Sequence, residues 1–153
     1  MVTAEKLTNM FGHIRSSLPR NYLRHLGTMG RSRLLRRHKT GQYARIERAI
    51  RESLDLPLDT CTVNQLTAIH GIGGKTARFF LLHSRRTACY AVIDTHILKY
   101  LRAKGYSAPM STPSTNNQYE ILECLWLNEI NRDFPDMTAA EADLAIWRQY
   151  SGN

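Results

Sequence analysis

The chain has 153 residues, 42% of them hydrophobic, and carries 21 Lys and Arg against 13 Asp and Glu, a formal net charge of +8. That length fits one domain, with room for two lobes around a cleft, and that apolar content fits a folded core and excludes a disordered chain. The charge favours a polyanionic partner, nucleic acid before a membrane surface, and no apolar run approaches the roughly 20 residues that a membrane helix needs.

The opening "MVTAEKLTNMFGHIR" is polar and mixed in charge, unlike a secretory signal. Its spacing predicts a first helix with Leu7, Met10, Phe11 and Ile14 on one face, stopping before Pro19. Helical periodicity resumes from Arg31 to Leu54 through Leu34, Leu35, Tyr43, Ile46 and Ile50, with a break or kink at Gly41. The densest basic run lies here: Arg31, Arg33, Arg36, Arg37, Lys39 and Arg45. It reads as a solvated helix face or as a track for phosphates, with Arg33, Arg36, Arg37 and Lys39 as its candidate members.

After the connection "DLPLDTCT", Thr62 and Gln65 form a T-x-x-Q capping box opening a short helix through Ile69. "GIGG" turns the chain, and Lys75 to about Ser84 reads as the next helix, with Phe79 and Phe80 packing inward and Arg85 and Arg86 suiting its C-terminal dipole. Cys89 to Ile93 is a short apolar approach to Asp94, which stands at the N-cap of a helix carrying Ile97, Leu98 and Leu101. His96 reads as a helix-start residue with a local hydrogen bond. A loop, "GYSAPMSTPST", precedes an amphipathic helix with Ile121, Leu122, Leu125 and Ile130 inward. Thr138 and Glu141 make a second capping box before a last helix ending near Gly152. With no strand pattern, internal repeat or low-complexity segment, the fold class is all-α. Cys61, Cys89 and Cys124 are odd in number and scattered, which argues against a disulfide framework, a zinc site or an iron–sulfur site. They are expected as reduced, mostly buried thiols, and neither a metal nor an organic cofactor is expected.

The glycine turn carries the first chemical signal. Two short helices joined by "HGIGG", about residues 62–84, make an αα-hairpin in which Gly71 and Gly73 permit positive φ and Ile72 plugs inward. The amides of Gly71, Ile72, Gly73, Gly74 and Thr76 then lie about the mouth of the second helix, an arrangement that binds anions. On DNA it would hold a backbone phosphate without reading sequence. The alternative is a purely structural αα-corner. His70, just before the turn, is a further candidate phosphate contact.

Lys75 falls in the first turn of that second helix, where the positive dipole end disfavours an ammonium. Exclusion of water would also favour the neutral amine, a nucleophile able to attack electrophilic carbon and form a Schiff base. A neighbouring Asp94 carboxylate works the other way, favouring the charged form, and can offset positive charge developing on a sugar. As an alternative, Asp94 is a plain N-cap.

"HGIGGKTARFF" through "YAVIDTHILKYL" resembles the helix-hairpin-helix DNA glycosylases with a downstream catalytic aspartate. The resemblance implies that Lys75 is the nucleophile of a bifunctional glycosylase/AP lyase and that Asp94 is its aspartate. "DLAIWRQYSGN" looks more like the archaeal-type 8-oxoguanine DNA glycosylases, in which an Asp-Leu-x-x-Trp run lies close to the base pocket; Asp143, Leu144 and Trp147 match it. The four-cysteine iron–sulfur loop common among endonuclease III relatives is absent from the sequence. The likeness covers Leu66 to Asn153 well and the first sixty residues poorly. It implies excision of an oxidised base, 8-oxoguanine first and an oxidised pyrimidine second, from damaged double-stranded DNA by a monomer at the nucleoid in a prokaryotic cytoplasm. The rival reading is a non-catalytic helix-hairpin-helix DNA-binding module.

Overall fold

A computed structural model describes residues 20–151. The helix expected around Leu7, Met10, Phe11 and Ile14 lies outside the described residues, as does Gly152. Every regular element among the described residues is a helix, so the all-α expectation holds. The chain divides into two compact units, Met1–Ile72 and Gly73–Asn153.

In the first unit the described helices are α1 (Arg20–His25), α2 (Gly27–Arg37), α3 (Tyr43–Ser53) and α4 (Val63–Thr67). The expected break falls between α2 and α3, where Lys39, Gly41 and Gln42 all take positive φ (50°, 72° and 40°). Thr40 is buried inside this turn and donates its hydroxyl to Leu35 O and Gly41 O. Leu35, Leu54, Cys61, Leu66 and Ile69 form the apolar interior. Alongside them Arg31 and Glu47 are both buried and joined by N–O contacts of 2.8 and 3.0 Å. Arg31, the first residue of the dense basic run, therefore does not face solvent: its charge is taken up by α3, because the face of α2 that packs on α3 includes position 31. Arg20 donates to Ser53 O and Leu56 O, and Arg24 to Leu54 O, satisfying carbonyls left open at the end of α3.

The second unit holds α5 (Gly74–Ser84), α6 (Thr95–Ala103), α7 (Asn116–Asp133) and α8 (Ala139–Tyr150). Its core gathers Ile97, Leu98, Tyr100 and Leu101 of α6, Tyr119, Leu122, Trp126 and Ile130 of α7, and Ala142 and Ile146 of α8. The inward register of α7 differs from the expectation at one position. Ile121 is 54% exposed, and the fully buried Trp126 takes the interior instead. Leu122, Trp126 and Ile130 repeat every four residues and set the stripe, while Ile121 is turned about 100° from Leu122. Phe79 is likewise corrected: it is 54% exposed, because Ala77, Arg78, Leu81 and Leu82 take the interior of α5. Of the cysteines only Cys61 is buried; Cys89 and Cys124 are exposed thiols.

Residues 85–94 cross the unit without regular structure, which leaves buried backbone groups to be satisfied by side chains. Glu123 accepts from Ala91 N at 2.8 Å. The Tyr119 hydroxyl donates to Ala91 O and accepts from Ile93 N, both at 2.9 Å, and the Thr112 hydroxyl donates to Ile93 O at 3.0 Å. These bonds deliver the chain to Asp94 in a fixed position.

Candidate functional site

The candidate site is built from three helices of the second unit. Lys75 stands in the first turn of α5, whose N-cap is Gly73 in extended backbone with no side-chain cap. The opening amides of α5 therefore lack a side-chain acceptor, and the side chain of Lys75 is exposed. Gly73, Gly74 and Lys75 line a cavity of about 240 Å³ with Thr112, Thr115 and Tyr119. Thr115 is the N-cap of α7, so two positive helix ends border one space. Of the turn residues in the first unit, Gly71 has φ +83°, and a Cβ there would stand 2.6 Å from Arg45 Nε. Ile72 closes the turn through a bond from its N–H to Ile69 O, and its side chain is half-buried. Thr76 is exposed. Gly73, expected at positive φ, has φ −89°, because it is the extended cap residue of the helix rather than the bend of the turn.

Asp94 is the N-cap of α6: its Oδ1 accepts from His96 N at 2.8 Å and Ile97 N at 3.0 Å. The Asp94 side chain is thus held by the helix it starts. His96 makes the expected local hydrogen bond through its backbone N–H to Asp94, and its ring adds a long-range contact, with Nδ1 3.0 Å from Tyr150 O at the end of α8. Its ring meets Trp147 edge-on at 5.9 Å between centroids, and Trp147 itself is 47% exposed.

Asp143 joins these parts. It lies on α8 with its side chain only 13% exposed. Burial, and then the Asp94 carboxylate, push its carboxyl up to about 7, while Lys75 pulls in the opposite direction. Asp143 therefore lies within electrostatic range of Asp94 and of Lys75. Asp143 Oδ2 is also 3.4 Å from Nε2 of His83, in the last turn of α5. Burial pushes His83 down, toward its neutral form. Burial thus works against the charged form of both partners, which weakens the contact as an ion pair. The Phe79 ring flanks His83 at 4.6 Å between centroids.

Beneath Lys75, Arg78 and Glu123 form a buried pair, with Arg78 Nε 3.0 and 2.9 Å from the two carboxylate oxygens. The Arg78 guanidinium also lies over the Tyr119 ring at 4.3 Å. Burial pushes the Tyr119 hydroxyl up to about 12, so it works here as a neutral donor and acceptor. Glu123 therefore holds α5, three residues beyond Lys75, and the segment before Asp94 at the same carboxylate.

Sequence reasoning missed Arg78, Tyr119, Glu123 and His83. For Glu123 a signal exists: a carboxylate inside the stripe Tyr119, Leu122, Trp126 and Ile130 needs a buried partner. In the first unit Arg33, Arg37 and Lys39 are exposed, and Arg36 is exposed with its guanidinium over the Tyr43 ring at 4.9 Å. Arg45 donates to Gly71 O at 3.1 Å, supporting the turn, and His70 donates its backbone N–H to Glu52 at 2.7 Å. No described helix is long and apolar enough to cross a membrane. No protein-family model matches the chain, and no solved structure matches it.

Proposed function

We propose that the chain is a bifunctional DNA glycosylase/AP lyase that excises an oxidised base, 8-oxoguanine foremost, from double-stranded DNA in prokaryotic base excision repair. One observation carries the reading: α5, which bears Lys75, and the segment that leads to Asp94 are held at one carboxylate, Glu123, by hydrogen bonds of 2.8 to 3.0 Å. A structural turn followed by an unrelated helix cap has no need of that gathering. Its chemistry is that of an amine near carboxylates. The neutral Lys75 amine attacks C1′ of an extruded nucleotide, the base leaves, and the Asp94 carboxylate steadies positive charge on the sugar. The resulting imine permits β-elimination, which nicks the strand 3′ to the lesion. No metal or organic cofactor enters these steps. The uncapped amides of α5 and the exposed Arg33, Arg36, Arg37 and Lys39 supply sequence-independent grip on phosphates. Trp147 and Asp143 border the pocket for the base, and one copy of the chain suffices.

A nicking assay tests the reading. Duplexes carrying 8-oxoguanine, thymine glycol or uracil are incubated with wild type, Lys75→Ala and Lys75→Gln. Wild type is expected to nick the 8-oxoguanine strand and Lys75→Gln to bind without nicking. Nicking of equal rate in Lys75→Ala would remove the lysine, and binding without nicking of any substrate by wild type would leave a DNA-binding module.

A further inference from the structure

The glycine turn is expected to grip a phosphate through backbone amides, yet within residues 70–72 two of the three amides are committed inside the fold. His70 N donates to Glu52 Oε2 at 2.7 Å, and Ile72 N donates to Ile69 O at 3.1 Å. What the turn presents instead is a guanidinium. Arg45, on α3, donates through Nη2 to Gly71 O at 3.1 Å and through Nη1 to Gln42 Oε1 at 3.2 Å. The approach is close enough to require a glycine, since a Cβ on residue 71 would stand 2.6 Å from Arg45 Nε and 3.0 Å from its Cγ. Arg45, His70 and Gly71 are all exposed. A guanidinium carries five N–H donors in one plane, and these two bonds fix that plane with two of them. Both acceptors are uncharged oxygens, so they orient the cation without cancelling its charge.

We propose that Arg45 is the phosphate contact of this turn: its guanidinium, laid against Gly71 and steadied by Gln42, takes a DNA backbone phosphate as a two-pronged fork. The inference rests on the DNA-binding part of the proposed function and not on the chemistry of Lys75. Arg45, Arg48 and Glu52 are spaced by three and four residues and share one face of α3. That face ties down two consecutive residues of the turn, Gly71 through Arg45 and His70 through Glu52. The Glu52 carboxylate would repel a phosphate if left alone, but Arg48 Nε meets its Oε1 at 2.6 Å and offsets its charge. The cation is therefore held in place before DNA arrives, which removes part of the ordering cost that a loose surface arginine meets on binding. A contact to phosphate alone reads no bases, which suits a protein that must bind any sequence around a lesion.

Binding of an undamaged DNA duplex is measured against salt concentration for wild type, Arg45→Gln, Arg45→Lys and Arg51→Gln. Arg51 is an exposed cation of the same helix, turned about 120° from Arg45, and its variant controls for net charge. Arg45→Gln is expected to bind about tenfold more weakly at low salt and to flatten the slope of log K against log salt by about 0.9, the share of one phosphate. Arg45→Lys keeps the charge without the fork, so it is expected to keep the slope and lose part of the affinity. Arg51→Gln is expected to keep both. An arginine that only supports the turn gives another pattern: a lower urea midpoint in Arg45→Gln and Arg45→Lys alike, with the wild-type salt slope. That pattern, or an equal loss of slope in Arg51→Gln, overturns the inference and leaves DNA binding and Lys75 untouched. Absence of duplex binding by wild type removes the DNA reading itself, and the contact with it. An arm on wild type alone covers any folding failure: arginines are labelled with phenylglyoxal and located by mass spectrometry. The duplex is expected to protect Arg45 and not Arg51, and equal labelling of Arg45 with and without duplex overturns the contact.

Discussion

Replacing Glu123 with alanine removes an acceptor at which two buried donors meet. Arg78 Nε reaches its carboxylate at 2.9 and 3.0 Å, and Ala91 N reaches it at 2.8 Å. Arg78 is 5% exposed and Glu123 9%, so neither group can turn to bulk water. Stranding a buried guanidinium costs about 3–5 kcal/mol. Stranding a buried N–H costs about 1–3 kcal/mol more, partly shared because water entering the truncated space serves both. We expect a loss of about 4 kcal/mol, which for a chain of this size lowers Tm by about 8–16 °C. Glu123→Gln keeps a carbonyl for Ala91 and the side-chain volume, and is expected to lose about half as much. The control is Glu120→Ala on the exposed face of α7, expected within about 0.5 kcal/mol of wild type. Thermal and urea denaturation followed by circular dichroism measure all three. A Glu123→Ala protein melting within about 2 °C of wild type would refute the reasoning, since it would mean that the pair is solvated. Glu123→Gln has a functional reading too: it loosens the link between α5 and the segment before Asp94, so adduct formation is expected to slow more than DNA binding weakens.

Asp94→Ala is expected to cost about 1 kcal/mol through loss of the α6 cap, while Asp94→Asn keeps the cap and slows base release in single-turnover assays; an unchanged rate there would make Asp94 structural alone. Gly71→Ala combines a φ of +83° with a Cβ 2.6 Å from Arg45 Nε, and urea denaturation is expected to show a loss of about 1–2 kcal/mol. Asp143 is raised to about 7 in the folded chain, so the folded state binds the extra proton. Its contribution to stability is present below the unfolded carboxylate value near pH 4 and is lost as pH rises through about 7. Wild type is therefore expected to lose stability relative to Asp143→Asn between pH 4 and 7, by a few kcal/mol in order of magnitude; parallel curves would contradict the burial. Neutralising Arg33, Arg36, Arg37 and Lys39 together is expected to flatten the slope of log K for duplex DNA against log salt by about 0.9 for each phosphate that these side chains neutralise. An unchanged slope would return that face to plain solvation.

Local signals in the chain are legible wherever a few neighbouring residues decide the outcome. Both capping boxes form, Thr62 with Gln65 and Thr138 with Glu141, and Asp94 caps α6. The break at Gly41 is equally local. Partners distant in sequence are not legible. Arg31 resembles one more surface cation until Glu47, on the next helix, takes its charge. Phe79 and Ile121 resemble core residues because apolar periodicity marks a helix more reliably than its facing; each sits beside a residue with the better claim to the interior. His83 gives no sign at all, since its meaning depends on Asp143, which arrives from another helix. Of the candidate site, Lys75, Asp94 and Asp143 can be named from the sequence, whereas the burial of Asp143 and its contact with His83 require the fold.

The most direct measurement is covalent capture. The wild-type protein is incubated with an abasic-site duplex and borohydride, the adduct is digested, and the modified peptide is located by mass spectrometry. The account predicts a sugar remnant on the Nζ of Lys75 and none on Lys99 or Lys104, with no adduct in Lys75→Ala. A remnant on another lysine, or no adduct at all, would contradict it.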